Sequence, residues 1–338
     1  GLHVTQGQID RRENLLQNQY GLAAVYNFGS NQLGLLNYSS LWGRSLETLG
    51  SRHLHMSSIY HKFQTGAWKL SGEYAFDYQG KYAIQSGLLY TPGKIKIGIG
   101  YRYFSPQLFG DMSSTIRHYS GRLKNEKGIN LGLAFTLPAE IKFTGYIDFF
   151  SRVAPPNNGS PPPLGKESLV QLYKNFNSSY KIWLKYKQMY EIFHSDANFC
   201  SLKKQFKLKS HLEITHYLDL ITRFIYNNLQ TGNNEQNGLA ISNSLEIDLN
   251  PINIIFGSSN FYTDSYESRV YLYEPGIPLR FNLPVLYGTG RRYFFTINYR
   301  INEIFLLYFV CSYAEQRKIN QNKWNRKKLF ELQLEINL

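Results

Sequence analysis

Six lysines fall at odd positions of two neighbouring segments, Lys181, Lys185 and Lys187 in the first and Lys203, Lys207 and Lys209 in the second. In extended backbone, successive side chains point to opposite faces, so each set shares one face. If the segments pair antiparallel, the six ammonium groups stand on a single basic wall, and such a wall around enclosed water favours anions. In the alternative reading the lysines only solvate that face and pair with Glu73, Asp148, Glu213, Glu246 and Asp248. A second group lies in the connection 263–290, which holds Pro275, Pro278 and Pro284 and an apolar-aromatic run from Val270 to Tyr273. Loops this long are usually functional or disordered, and aromatic content argues against disorder. Folded inward, the connection would put Tyr271, Tyr273, Glu274, Arg280, Tyr287, Arg291 and Arg292 at a constriction. Folded outward, it would be a lid packed on its own side chains.

Catalytic chemistry finds little support. The close histidine pairs, His53 with His55 and His211 with His216, come without the carboxylate or cysteine set of a zinc site. Cys200 and Cys311 offer neither a disulfide framework nor paired ligand spacing. There is no Gly-x-Ser-x-Gly elbow, and Gly288 and Gly290 precede no helix that would make a phosphate loop. No catalytic residue, metal or cofactor is therefore expected. A hydrolase site assembled from separate strands would leave little trace, and an embedded enzyme stays as an alternative. The basic run Arg317 to Lys328 would touch acidic lipid headgroups or nucleic acid, or be solvated.

The elements that carry these residues are strands. The chain has 338 residues, 43% of them hydrophobic, 16% aromatic and 18% charged, with a net charge of +13. That excludes disorder and collagen, and no apolar run approaches the roughly 18 residues of a spanning helix. The dominant pattern has period two. Trp68, Leu70, Gly72, Tyr74, Phe76 and Tyr78 alternate with Lys69, Ser71, Glu73, Ala75 and Asp77. Ile95, Ile97, Ile99, Tyr101 and Tyr103 alternate with lysine, glycine and arginine, and Phe330 to Leu338 alternates just as cleanly. Each segment is a strand with one greasy and one wet face. At about 9 to 12 residues these strands are long for soluble sheets and match tilted strands that cross a bilayer.

Punctuation agrees. Short turns near Ser30, Gly66, Gly93, Pro138, Ser178, Tyr217, Pro251 and Asn302 alternate with connections expected to be long and polar at 43–54, 106–126, 151–166, 191–200, 230–237, 263–290 and 314–326. One exception, 78–80, is short. Tight periplasmic turns and long outer loops mark an antiparallel transmembrane outer-membrane β-barrel. The count is about sixteen to eighteen strands in one barrel domain over 1–338, complete or part of a larger barrel, with 1–19 ambiguous and Leu2 to Ile9 a weak candidate for an added strand. Tyrosines at strand ends, among them Tyr20, Tyr78, Tyr90, Tyr101 and Tyr103, suit aromatic girdles. No apolar signal segment opens the chain, so an export signal would have been removed or lie upstream.

Several stretches together resemble the carboxy-terminal barrel region of large Bacteroidota outer-membrane proteins that carry helix-hairpin-helix repeats near their amino terminus. They are Tyr103-Phe104-Ser105-Pro106, Asn125-Glu126-Lys127-Gly128, the Pro-rich loop 155–163 with Gly165-Lys166-Glu167, Tyr271-Leu272-Tyr273-Glu274-Pro275-Gly276, and Leu286-Tyr287-Gly288-Thr289-Gly290-Arg291-Arg292-Tyr293. The resemblance implies the barrel fold and an outer-membrane location but no reaction. The repeats are absent here, so any nucleic-acid partner would belong to a domain outside this chain. The expected function is a channel, a transporter or the barrel subunit of a transport assembly, with a basic lumen favouring anionic solutes. An embedded hydrolase and a structural scaffold for lipoprotein or periplasmic modules are the alternatives. Expected partners are outer-membrane lipid and lipopolysaccharide, with other outer-membrane or lipoprotein subunits as further candidates.

Overall fold

The computed structural model describes residues 16–46, 50–109, 118, 125–155, 162–192, 200–278, 282–317, 319 and 323–336. Leu2 to Ile9 and Arg280 lie outside them.

The chain divides into two compact units, residues 1–133 with 147–166, and residues 134–146 with 167–338. In the first, β1 (Gln17–Phe28), β2 (Asn31–Leu46), β3 (Ser51–Thr65), β4 (Trp68–Asp77), β5 (Tyr82–Tyr90) and β6 (Lys96–Phe104) pair each with the next, all antiparallel. Three strands run from one unit into the other: β7 (Glu126–Thr136), β8 (Lys142–Ser151) and β9 (Leu164–Asn175). In the second unit, β10 (Tyr180–Ile192), β11 (Cys200–Thr215), β12 (Leu218–Thr231), β13 (Asn234–Leu249) and β14 (Ile252–Thr263) form a meander. A two-residue pair, β15 (Val270–Tyr271) and β16 (Val285–Leu286), interrupts it. It then continues through β17 (Thr289–Arg300), β18 (Phe305–Arg317) and β19 (Trp324–Ile336).

Among the described residues the seventeen long strands have 9 to 16 residues each and are all antiparallel partners in sequence order where their registers are defined. The burial pattern gives their environment. Trp68, Tyr74, Phe76, Ile97, Ile99, Leu131 and Leu133 are exposed, while the intervening side chains are small or polar. An apolar surface of that extent is not tolerated in water and is what lipid solvates. The protein is thus all-β, an antiparallel transmembrane sheet of the outer-membrane β-barrel class.

Aromatic pairs bracket the apolar band. Trp68 stacks on Tyr90 with ring centres 4.1 Å apart, at the end of β4 and β5 that faces the 91–95 turn. Tyr82 stacks on Tyr103 at 5.1 Å, at the other end. From Tyr82 to Tyr90 a strand rises about 27 Å, which after tilting matches an apolar band of roughly 25 Å or less.

All eight short turns fall where alternation placed them; Gly29 and Gly66 take φ of +59° and +52°, a backbone region open to glycine at little cost. Three connections are shorter than expected. β2 runs to Leu46 and β3 starts at Ser51, β12 and β13 meet across Gly232–Asn233, and β18 reaches Arg317 with β19 starting at Trp324. Polar residues there read as loop in sequence, yet they continue the ladder, as Gln230 opposite Glu235 and Thr231 opposite Asn234 show. A hydrogen-bonded hairpin needs no apolar face once it has left the lipid, so polarity alone misplaces its ends.

Candidate functional site

Register decides which faces the basic residues occupy. Lys185 stands directly opposite Lys207, Lys181 opposite His211, Lys187 opposite Gln205, Lys203 opposite Met189 and Lys209 opposite Trp183. Directly opposed residues share a face, so all six lysines lie on one side of β10 and β11. On its other flank β11 sets Lys207 against Ile225 and Lys209 against Arg223. Arg223, absent from the sequence-based set, therefore extends the same column.

Compensation along the column is uneven. Lys187 is neutralised by Glu167, with Nζ 2.7 Å from Oε2, and Glu167 also accepts a hydrogen bond from the Tyr146 hydroxyl. The Lys209 ammonium sits 4.8 Å above the centre of the Trp183 ring, a cation–π contact that holds it in place. Glu246 on β13 acts electrostatically on both Lys209 and Arg223. Among the described residues no carboxylate forms an ion pair with Lys185 or Lys207. Of the other acids considered as partners, Asp148 is engaged in the first unit by Arg102.

The connection between β14 and β17 is a strap lying on this same face. Val270, Leu272 and Leu286, none more than 3% exposed, cluster with Ile225, Ala240 and Phe261. Ile225 is opposite Ala240, and Ala240 opposite Phe261, so the three strand residues share the face that carries Lys207 and Arg223. Polar contacts fix the path. Asn227 Nδ2 donates to the Arg269 carbonyl at 2.8 Å, and Ser268 Oγ donates to the Asn237 carbonyl at 2.9 Å. Gly238 is needed beneath the strap, because a Cβ there would come within 2.0 Å of the Ser268 oxygen. Tyr273 comes near Arg223. The strap thus follows β12 from Asn227 towards Arg223, beside the opposed lysines.

Its return is clamped. Glu274, fully buried, accepts from Arg292 Nε at 2.6 Å and from Nη2 at 2.9 Å. Arg292 Nη2 also donates to Ser312 Oγ at 3.2 Å. At the base, the Thr263 amide donates to the Gly288 carbonyl and the Gly288 amide to Thr263 Oγ1, both at 2.8 Å.

The structure therefore brings Tyr273 and Glu274 to the strap and Arg292 under it, but separates Arg291, which alternation puts on the opposite, exposed face of β17. Arg291 and Arg292 belong to the strand and not to the loop, and the charge of Arg292 is spent on Glu274. Tyr271 lies beside Arg269, whose Nε donates to its hydroxyl at 2.7 Å; Tyr287 packs edge-on to Tyr266 at 5.2 Å.

A cluster that sequence spacing did not suggest occupies the first unit. Arg102 donates through Nε to Glu126 Oε1 at 2.8 Å and binds both Asp148 oxygens, through Nη1 at 2.8 Å and Nη2 at 3.0 Å. His118 joins from the loop: its backbone N–H donates to Glu126 Oε2, Nε2 lies 2.8 Å from Asp148 Oδ2, and its ring stacks on Phe150 at 3.7 Å. The guanidinium lies across Gly128, where a Cβ would be 2.5 Å from Cζ. The motif residues next to it serve as joints. Ser105 Oγ bonds both the amide and the carbonyl of Tyr82, and Asn125 Oδ1 accepts from the amides of Val153 and Ala154. The hint in sequence was Arg102 closing the polar row Lys94, Lys96, Gly98 and Gly100.

No protein-family model and no curated protein sequence matches the chain. Among solved structures it is similar to OccK10 (OpdN) of Pseudomonas aeruginosa, at 10% identity and a TM-score of 0.47, over 93% of this chain and 88% of that one. It is also similar to the outer membrane channel DcaP of Acinetobacter baumannii, at 7% identity and 0.45, over 95% and 97%. A third is the outer membrane protein OmpT of Vibrio cholerae, at 7% and 0.42, over 84% and 94%.

Proposed function

We propose that the protein resides in a bacterial outer membrane and acts as a channel, alone or as the barrel subunit of a transport assembly, with a basic lumen that favours anionic solutes. The observation that carries this reading is the cation column of β10–β12, in which Lys185 opposes Lys207 and Lys209 opposes Arg223, with the inward strap beside it. A strand face turned to lipid leaves the opposite face for water, and unpaired ammonium groups in a low-dielectric wall project a positive potential into it. The strap adds selectivity by size, since it covers part of the polar face of β12 to β14. Membership in the Bacteroidota helix-hairpin-helix-associated family is part of the proposal, supported by the structural work its motif residues do at Ser105, Asn125, Glu126, Glu274 and Gly288. Liposome swelling tests the channel. Vesicles containing the refolded protein should admit small organic anions faster than cations of equal size, and vesicles that exclude both would defeat it.

A further inference from the structure

We propose that the two opposed cation pairs, Lys185 with Lys207 and Lys209 with Arg223, form a binding site for a compact oxyanion carrying two or more negative charges. The inference rests on the channel reading and narrows its permeant class from anions in general to multivalent ones.

Spacing is the first support. Lys207 and Lys209 are two residues apart on β11, so the pairs are separated by about 7 Å along the strand. Phosphate or carboxylate groups at the two ends of a small solute span that distance. A monovalent ion meets one pair and gains nothing from the other.

Energetics is the second. Like charges directly opposite each other destabilise a ladder, and a face that merely needed water would not put lysine against lysine and arginine against lysine in adjacent rungs. An oxyanion between the members of each pair reverses the sign of that interaction, because each ammonium brings three donors and the guanidinium five.

The surroundings supply the rest. Trp183 holds the Lys209 ammonium from beneath. On the far side of Arg223, Ser242 faces it across the β12–β13 ladder; this side chain is 1% exposed and its hydroxyl has no hydrogen-bond partner among the described residues. A donor left without a partner beside an arginine suits an anionic oxygen. Val270 and Leu272 pack on Ile225, the neighbour of Lys207, and so place the strap against one flank of the pairs. Among the described residues of β11 to β13 the acids nearest the pairs on this face, Glu213, Asp219 and Glu246, stand together in one rung four residues along the strands from Lys209 and Arg223, and Asp219 there is paired with His211.

The test uses the full chain refolded in detergent and in planar bilayers, with tripolyphosphate and citrate as probes and acetate as the monovalent control. Tripolyphosphate should block the chloride current saturably at concentrations where acetate does nothing. Replacing Lys185→Gln together with Lys207→Gln should weaken that block by roughly tenfold or more, whereas Lys203→Gln, on the same face but off both pairs, should change it by less than about twofold. Block by citrate as well supports the class, and block by tripolyphosphate alone narrows it to phosphates. Calorimetric titration of tripolyphosphate into the micellar protein reads the site separately from conduction, so a chain that binds but does not conduct would sink the channel and keep the site. Anion conduction without saturable binding, or equal loss in all the variants, would overturn the site and leave the channel reading standing. Heat-modifiable mobility on gels shows that each variant has folded.

Discussion

Glu274 and Arg292 face each other as a two-pronged ion pair, 2.6 and 2.9 Å, with the carboxylate wholly buried. The pair ties the strap to β17, and breaking it from one side leaves an uncompensated buried charge. Arg292→Met should cost about 3–5 kcal/mol of local stability and Glu274→Gln somewhat less. The loss should register as protease cleavage between residues 264 and 288 in otherwise intact, folded protein. Joint replacement, Glu274→Leu with Arg292→Met, should recover part of the protection. Single variants as resistant as wild type would show that the strap is held by its apolar contacts alone.

The Arg102 cluster makes a parallel prediction in the first unit. Arg102→Lys keeps the charge but loses the fork that meets Glu126 and both oxygens of Asp148. It should lower stability by about 2–4 kcal/mol. Gly128→Ala should mimic it in part, since the new Cβ displaces the guanidinium. Urea unfolding from lipid vesicles measures both, and unchanged midpoints would contradict the clamp.

A third prediction concerns the lipid face. Ile97 is 48% exposed on the apolar side of β6, whereas a Cβ at Gly98 meets only ordinary contacts with Leu89. Ile97→Arg should cost about 2–4 kcal/mol in folding into vesicles, and Gly98→Arg should be mild. Equal tolerance of the two would invert the orientation of the sheet.

Strands and short turns were legible because lipid on one side and water on the other impose a clean period of two, as at Trp68–Asp77. The lysine face was legible for the same reason, although Arg223 was hidden. Strand β12 carries Ile221, Ile225 and Leu229 on the polar side and so shows no alternation. Those breaks were the trace of the strap: Ile225 and Ala240 are apolar where water was expected because Val270 and Leu272 dry them. The Arg102 cluster left no comparable trace. Arg102, His118 and Asp148 are joined only by pairing across loops, 46 residues from the first to the last, and nothing in local spacing encodes that meeting. Long strand extensions at Leu46 and Arg317 were missed because polarity is equally compatible with a loop and with a hairpin beyond the membrane.

Removal of the strap probes its part in conduction. Deleting residues 268–284 takes away Val270, Leu272 and Glu274 together while leaving the ladder from β12 to β14 intact. Single-channel conductance should rise while anion preference is retained, because the lysine column belongs to β10 and β11. An unchanged conductance would show that the strap does not border the passage.

The most direct measurement is the zero-current potential of the refolded chain in a planar bilayer under a tenfold potassium chloride gradient. The cation column predicts a potential with the sign set by chloride, moving towards zero when Lys185 and Lys207 are both replaced by glutamine. A potential with the sign set by potassium, or one indifferent to those replacements, would contradict the account.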